Sequence, residues 1–247
     1  MTPTARRNSV ATVTSHPEVL RSSVKTKRAK RFVARLGEAR IGTTYNQYAD
    51  SPLRRRRLAE YLEARLDAPL LLVGEAAGYR GARVSGLPFT SERQLTGRGP
   101  AEATATIVHR VLERLGLVED VLLWNAVPTH PGTSTSNRPP TRAEVAAAEP
   151  FLVELARGRR VVAVGRLAAA FTGAPYVRHP SHGGATAFEE GLGALTRAGM
   201  PVRVSAWRAS EWQRRSQPSF PLPGSQVPRV PTTPPTRGPS RIASWPP

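Results

Sequence analysis

Residues 69–92 read Pro69-Leu-Leu-Leu-Val-Gly74-Glu75-Ala76-Ala-Gly78-Tyr79-Arg-Gly81-Ala-Arg-Val-Ser-Gly86-Leu-Pro88-Phe89-Thr-Ser-Glu92. The apolar run Leu70 to Val73, bounded by Pro69 and Gly74, has the form of a buried parallel strand. It breaks into a glycine-rich stretch carrying one carboxylate, Glu75, and one aromatic, Phe89. Glycines let the backbone turn tightly and approach a ligand closely. In an open parallel sheet, ligands bind beyond the carboxyl ends of the strands. The stretch therefore reads as the floor of an active site. Glycines at 74, 78 and 81 do not make a dinucleotide fingerprint, and no Gly-Lys-Ser/Thr follows to make a P-loop.

The 247 residues suffice for one good-sized domain with a real core. Cysteine is absent, which excludes disulfides, thiolate metal sites and cysteine-ligated iron–sulfur clusters. No apolar run approaches the roughly 18 residues of a membrane span. A soluble, cytoplasmic, monomeric protein is expected, with no membrane contact. The net charge of +18 is unevenly placed. Residues 1–57 hold 14 Lys/Arg against 3 Asp/Glu, and 205–247 hold 6 against 1. The segment 58–204 is nearly balanced, with 16 against 14. Basic flanks favour polyanions through counterion release, and equally fit soluble, disordered arms.

Along the chain, residues 1–35 are polar and basic without sustained apolar periodicity and read as a disordered arm. Ser51-Pro52 opens a helix through Leu66, with Arg54–Arg57 on its first turn as a solvated face or a phosphate contact. Helices follow at 100–115, 141–157 and 185–198, with a short one at 165–171; strands fall at 70–73, 120–127, 160–165 and 174–178. Thr141 to Glu144 forms a capping box, and Pro150 is expected to kink or restart that helix. Strand and helix alternate, which predicts a three-layer α/β/α domain over 36–204 around a four-stranded parallel sheet. From Ser216 on, 10 of 32 residues are proline, so 205–247 reads as a disordered Pro-rich tail.

On that scaffold three polar groups converge on one sheet edge. Glu75 follows the first strand, Asn125 ends the second, and His179 follows the fourth. A carboxylate, an amide and an imidazole meeting there form an active-site constellation. Metal binding by His179 and His182 is disfavoured, because Pro180 prevents a helical pair and no further ligand lies at suitable spacing. No Gly-x-Ser-x-Gly elbow points to serine hydrolysis. No metal or cofactor is assigned.

Three co-ordered motifs carry a resemblance. Gly74-Glu75-Ala-Ala-Gly78 with Gly86-Leu-Pro88-Phe89-Thr, Asn125 with Asn137-Arg138-Pro-Pro-Thr-x-x-Glu144, and His179-Pro180-Ser181 span about 65–195. Together they resemble the uracil-DNA glycosylase superfamily, closest to its family-4-type members. Those members hold an iron–sulfur cluster on four cysteines, which this chain lacks. They often carry a second acid where this chain has Gly81, and the best-known members of the superfamily begin a duplex-wedging loop where it has His182-Gly183-Gly184.

The resemblance implies hydrolysis of an N-glycosidic bond with a flipped-out nucleotide in the pocket, and a partner in DNA containing uracil or another deaminated base. A nucleoid-associated location would follow. It places Gly74, Ala76, Phe89 and Asn125 around the base, with Phe89 stacking and the Asn125 amide matching the O4/N3 edge of uracil but not of cytosine. It makes His179 the donor to the departing base and Glu75 the carboxylate that positions water or stabilises the sugar cation, Glu75 being the only acid in the loop core. Ser181 and Arg138 would contact phosphate. A DNA-binding module that keeps the pocket without catalysis, or a nucleotide-processing α/β enzyme, remains a different reading of the same residues.

Overall fold

The computed structural model describes residues 17–197. In chain order the elements are α1 (Pro17–Glu38), α2 (Pro52–Arg65), β1 (Leu70–Ala76), α3 (Ala82–Ser85), α4 (Glu92–Thr96) and α5 (Ala103–Arg114). They continue with β2 (Val121–Val127), α6 (Arg142–Ala156), β3 (Arg160–Val164), α7 (Arg166–Thr172), β4 (Tyr176–Val177) and α8 (Ala185–Arg197). The four strands form one sheet in the order β2-β1-β3-β4, every pair parallel. None of the described helices is long and apolar enough to cross a membrane.

Both sheet faces are covered, as the apolar strand sequences require. On one face Leu70, Leu72, Val121, Leu123, Val162 and Val164 pack with Val108, Val111 and Leu112 of α5 and Phe188 and Leu192 of α8. On the other, Trp124 of β2 meets Phe32 of α1 edge-on at 5.6 Å between ring centroids, and Phe32 meets Phe151 of α6 at 5.5 Å. Such edge-to-face geometry suits the aromatic quadrupoles. The outer strand β2 has its free edge engaged by Tyr61 of α2, whose hydroxyl accepts from the Leu123 N–H at 2.6 Å. Burial pushes the Tyr61 phenol up to about 12.

Three expectations are corrected. The proposed disordered arm 1–35 contains most of α1, so its boundary falls inside a helix. Ala29, Phe32, Val33 and Leu36 recur at helical spacing and are all buried. Lys25, Lys27, Arg28, Lys30, Arg31 and Arg35 surround that stripe and mask it in the sequence. Residues 1–16, and the tail at 205–247, lie outside the described residues.

Pro150 neither ends nor restarts its helix, for α6 runs unbroken from Arg142 to Ala156. An internal proline costs about 3 kcal/mol. Burial of Phe151, Leu152 and Leu155 just beyond it offsets that cost.

Arg54, Arg55 and Arg57 of α2 are not a solvated face, whereas Arg56 stays exposed beside Glu60. Arg54 Nε donates to Val84 O at 2.9 Å, and Arg55 Nη1 donates to Tyr48 O at 2.7 Å. Arg57 donates to Ser85 O at 3.1 Å and forms a two-point ion pair with Glu92 at 2.8 and 3.0 Å. Arg54 and Arg57 thereby clamp the segment that follows the glycine-rich loop, while Arg55 holds the turn before α2.

Phe32 joins α1 to both Trp124 and Phe151, so Phe32→Ala should lower stability by about 3–5 kcal/mol. Urea denaturation followed by tryptophan fluorescence measures this. A loss below about 1 kcal/mol would show that α1 is not part of the core.

Candidate active site

The parallel register sets the centre of the site. It pairs Gly74 of β1 with Asn125 of β2, so both lie near the carboxyl edge of the sheet. A Cβ on Gly74 would come within 2.9 Å of Asn125 Oδ1 and would overlap the tip of the Phe89 ring. Only glycine lets the ring and the amide close over the strand in this way.

Phe89 is held over that point by local chemistry. It is only 8 % exposed and has a left-handed φ of 50°, a conformation that costs a non-glycine residue about 1–3 kcal/mol. The buried Ser85 hydroxyl spans the turn, donating to Thr90 O at 2.6 Å and accepting from Leu87 N–H at 3.0 Å. Tyr48 donates to Gly86 O at 3.0 Å from outside. With the α2 arginines, these bonds fix the segment 84–92.

A cavity of about 400 Å³ opens at this edge of the sheet. Gly74, Glu75, Ala76, Phe89, Asn125, Arg138, His179 and Ser181 all line it, so every site residue expected from sequence is brought together. Glu75 lies within β1 rather than after it, and Asn125 lies within β2. Asn125 is 5 % exposed, and its amide makes no hydrogen bond to any described residue. A buried amide without a partner is costly unless a ligand satisfies it. The Glu75 carboxyl likewise has no donor among the described residues, and burial pushes its pKa up.

The His179 loop fixes a tautomer. The Ser181 N–H donates to His179 Nδ1 at 3.2 Å, so Nδ1 is an acceptor. Ser181 Oγ lies 2.8 Å from the same atom and can donate to it, while His182 Nδ1 lies 3.0 Å from Ser181 Oγ and donates in turn. The proton of a neutral His179 therefore sits on Nε2. Burial, aided by the neighbouring His182, lowers its pKa, which keeps the ring neutral near pH 7. Its neighbour His182 has a left-handed φ of 52°, and a Cβ on Gly184 would overlap the His179 carbonyl.

Arg138 reaches the cavity while anchoring its wall. Its guanidinium donates to Glu144 at 2.6 and 2.8 Å and to Thr43 Oγ1 at 3.1 Å. The Arg138 hydrogen bonds hold the buried Glu144 carboxyl down to about 2, helped by the Thr141 N–H of the capping box. Asn137 accepts from the Tyr79 N–H at 2.9 Å, and the buried His130 bridges Ala77 O and Thr133 O, each at 2.7 Å. These bonds tie the loop after β2 to the glycine-rich loop.

One lining residue had no signal in the sequence. Glu102, the residue before α5, contributes a second carboxylate to the cavity wall. Glu75 is thus the only acid of the loop itself but not of the site. Among the described residues no group of three or more His, Cys, Asp or Glu is placed to hold a metal ion. Without cysteine, the four thiolates of an iron–sulfur cluster have no counterpart here.

Fold and site together define a parallel α/β protein with a polar pocket at the carboxyl edge of its sheet. The family model described as the uracil DNA glycosylase superfamily matches residues 62–222, well over half of the chain, and the protein belongs to that superfamily of DNA N-glycosylases. The crystal structure of wild-type SMUG2 from Pedobacter heparinus is similar in fold, with a TM-score of 0.50 and 12 % identity. The match covers 69 % of this chain and 97 % of that one. No sequence among curated proteins matches significantly.

Gly74→Ala tests the centre of the site. It should leave the protein folded, since only the Phe89 ring and the Asn125 amide need move. If the pocket binds a nucleobase, that binding should fall sharply, as measured by titration against an oligonucleotide carrying uracil. Undiminished binding would mean that the close approach at Gly74 does not shape the pocket.

Proposed function

We propose that this protein is a DNA glycosylase that hydrolyses the N-glycosidic bond of uracil, or of a related deaminated base, in DNA, as a step of base excision repair. The observation that carries this reading is the buried, unpartnered amide of Asn125 beside the Phe89 ring. One donor and one acceptor next to an aromatic face suit the edge and face of a single nucleobase. A 400 Å³ cavity has room for one flipped nucleoside, not for a duplex.

The chemistry follows from the groups present. As the bond between C1′ and the base nitrogen lengthens, its electron pair moves onto the base and positive charge grows on the sugar. The His179 Nε2–H, donating to the base oxygen, stabilises the first charge without itself ionising. The ionised Glu75 stabilises the second. Ser181 holds His179 and also lies at the cavity wall, where a phosphate contact would require its hydroxyl to turn from His179 Nδ1. The Arg138 Nε–H, the guanidinium donor not taken by Glu144, Thr43 or Pro139, would meet a second phosphate.

The direct test is incubation with oligonucleotides carrying uracil, hypoxanthine or xanthine, followed by alkaline cleavage of abasic sites. Release of at least one base is expected; no release from any of them in either single or double strands would sink the reading. His179→Ala should slow single-turnover release by about 10²–10³, equivalent to about 2.7–4 kcal/mol, while binding changes far less.

Base choice should rest on Asn125. Asn125→Asp replaces the donor toward O4 with a second acceptor, which repels uracil and can accept from the cytosine N4 amine. A site built on hydrogen bonds rejects the wrong partner strongly, since buried groups are left unpaired. Uracil release should fall by orders of magnitude, whereas Phe89→Ala should weaken all bases alike. An Asn125→Asp variant as fast as the parent would remove Asn125 from base reading.

A further inference from the structure

Glu102 occupies an unusual place for the residue that opens a helix. It has the extended backbone of an N-cap, φ −120° and ψ 118°, yet its side chain makes no capping hydrogen bond to α5. The carboxylate instead lies on the backbone of the glycine-rich loop. A Cβ on Gly78 would stand 2.5 Å from Glu102 Oε1, and one on Gly81 would stand 2.8 Å from its Cδ and overlap Oε2. The bare glycines at 78 and 81 are thus what admits the carboxylate to the cavity.

No described residue neutralises it there. Among the described residues no N–H, hydroxyl or cation pairs with either oxygen, and burial pushes the carboxyl pKa up with no opposing charge. A half-buried acid without a donor costs free energy that a capping bond would have recovered. A structural brace would hold the loop by hydrogen bonds, and this side chain makes none. The other carboxylate of the cavity, Glu75, is equally unpartnered. Glu75 follows Gly74, which abuts Phe89 and Asn125, whereas Glu102 lies against Gly78 and Gly81.

We propose that Glu102 is a second catalytic residue of this pocket, the general base for the water that attacks the sugar. The proposal rests on the glycosylase reading. In the step, the bond from C1′ to the base nitrogen breaks and its electron pair leaves with the base. The water oxygen bonds to C1′, and the proton it sheds passes to the Glu102 carboxylate. The base anion, held by His179, takes a proton from solvent, and Glu102 returns its own proton to solvent. One water is consumed, its hydroxyl ending on the sugar and a proton on the base. Glu75 stays ionised beside the sugar cation, so the two acids divide the work.

A base must be deprotonated, so the rate should drop as the pH falls through the carboxyl pKa. Because burial raises that pKa, the drop should lie above the ordinary glutamate value of about 4.3.

The test is single-turnover release of uracil from a single-stranded oligonucleotide, across pH 5–9, by the full chain. The parent, Glu102→Gln, Glu102→Asp and Glu75→Gln are compared, with thermal melting and oligonucleotide binding measured alongside. Glu102→Gln should lose about 10²–10⁴ in rate, the range expected of a general base, while keeping its fold and its binding. Glu75→Gln should keep an acid-side drop in rate that Glu102→Gln/Glu75→Gln lacks. Glu102→Asp should recover part of the loss. A Glu102→Gln variant with the parent's rate and pH profile overturns the proposal. So does one whose rate falls only as far as its folded fraction, with the profile unchanged. Absence of release by the parent itself would instead fail the glycosylase reading, so the two failures are distinct.

Discussion

The missing side chain at Gly74 is the constraint on which this site depends. Parallel pairing of β1 with β2 sets Gly74 opposite Asn125, and the empty Cβ position receives the amide and the Phe89 ring. Any side chain there would drive the two walls of the cavity apart. Much of the surrounding hydrogen bonding serves to hold Phe89 at that point. Ser85 closes the turn from inside, Tyr48 and the α2 arginines hold it from outside, and the Arg57–Glu92 pair fixes its far end. Arginine suits this task, since one guanidinium can serve a carbonyl and a carboxylate together.

The sheet was legible because a parallel sheet buried on both faces leaves near-continuous apolar runs, and Leu70–Val73, Val121–Trp124 and Val161–Val164 are such runs. The site was legible where a polar residue interrupts or follows one of them, as Glu75, Asn125 and His179 do. The α1 helix was not, because its apolar stripe is one residue wide and embedded in cations. Besides α2 it packs on Trp124 and Phe151, which lie far off in sequence. The role of Arg54–Arg57 was hidden for the same reason. A sequence displays the charge but not the carbonyls of residues 47–49 and 84–85 that receive it. Glu102 follows neither a strand nor a glycine motif, and only the folded chain lays it across Gly78 and Gly81.

Electrostatics ties the pocket to the rest of the chain. The protein carries a net charge of +18, yet its cavity holds two carboxylates with no partner among the described residues. A positive surface raises the local concentration of a polyanion, while low-dielectric walls strengthen the field of the acids within. Attraction of the DNA backbone and stabilisation of a sugar cation are opposite electrostatic demands. They are compatible only if the negative groups are withdrawn into a space that a single nucleotide enters. The pairing of Arg138 with Glu144 serves the same separation: it neutralises a third buried acid in the wall and leaves Glu75 and Glu102 as the unneutralised ones.

Strain is placed where this arrangement needs it. Phe89 and His182 are the two non-glycine residues with positive φ among those described, and both line the cavity. Each is locked by a serine hydroxyl: Ser85 across the Phe89 turn, Ser181 between His182 and His179. The chemistry of the two locks differs. Ser85 binds only backbone and therefore fixes position alone. Ser181 binds two imidazoles and so also fixes a proton, since its N–H and hydroxyl both present donors to His179 Nδ1 and leave Nε2 as the donating atom. Burial, with His182 beside it, keeps His179 neutral, and the Ser181 donors leave its proton on Nε2. A neutral ring can stabilise a departing base without repelling the positive charge that grows on the sugar beside it.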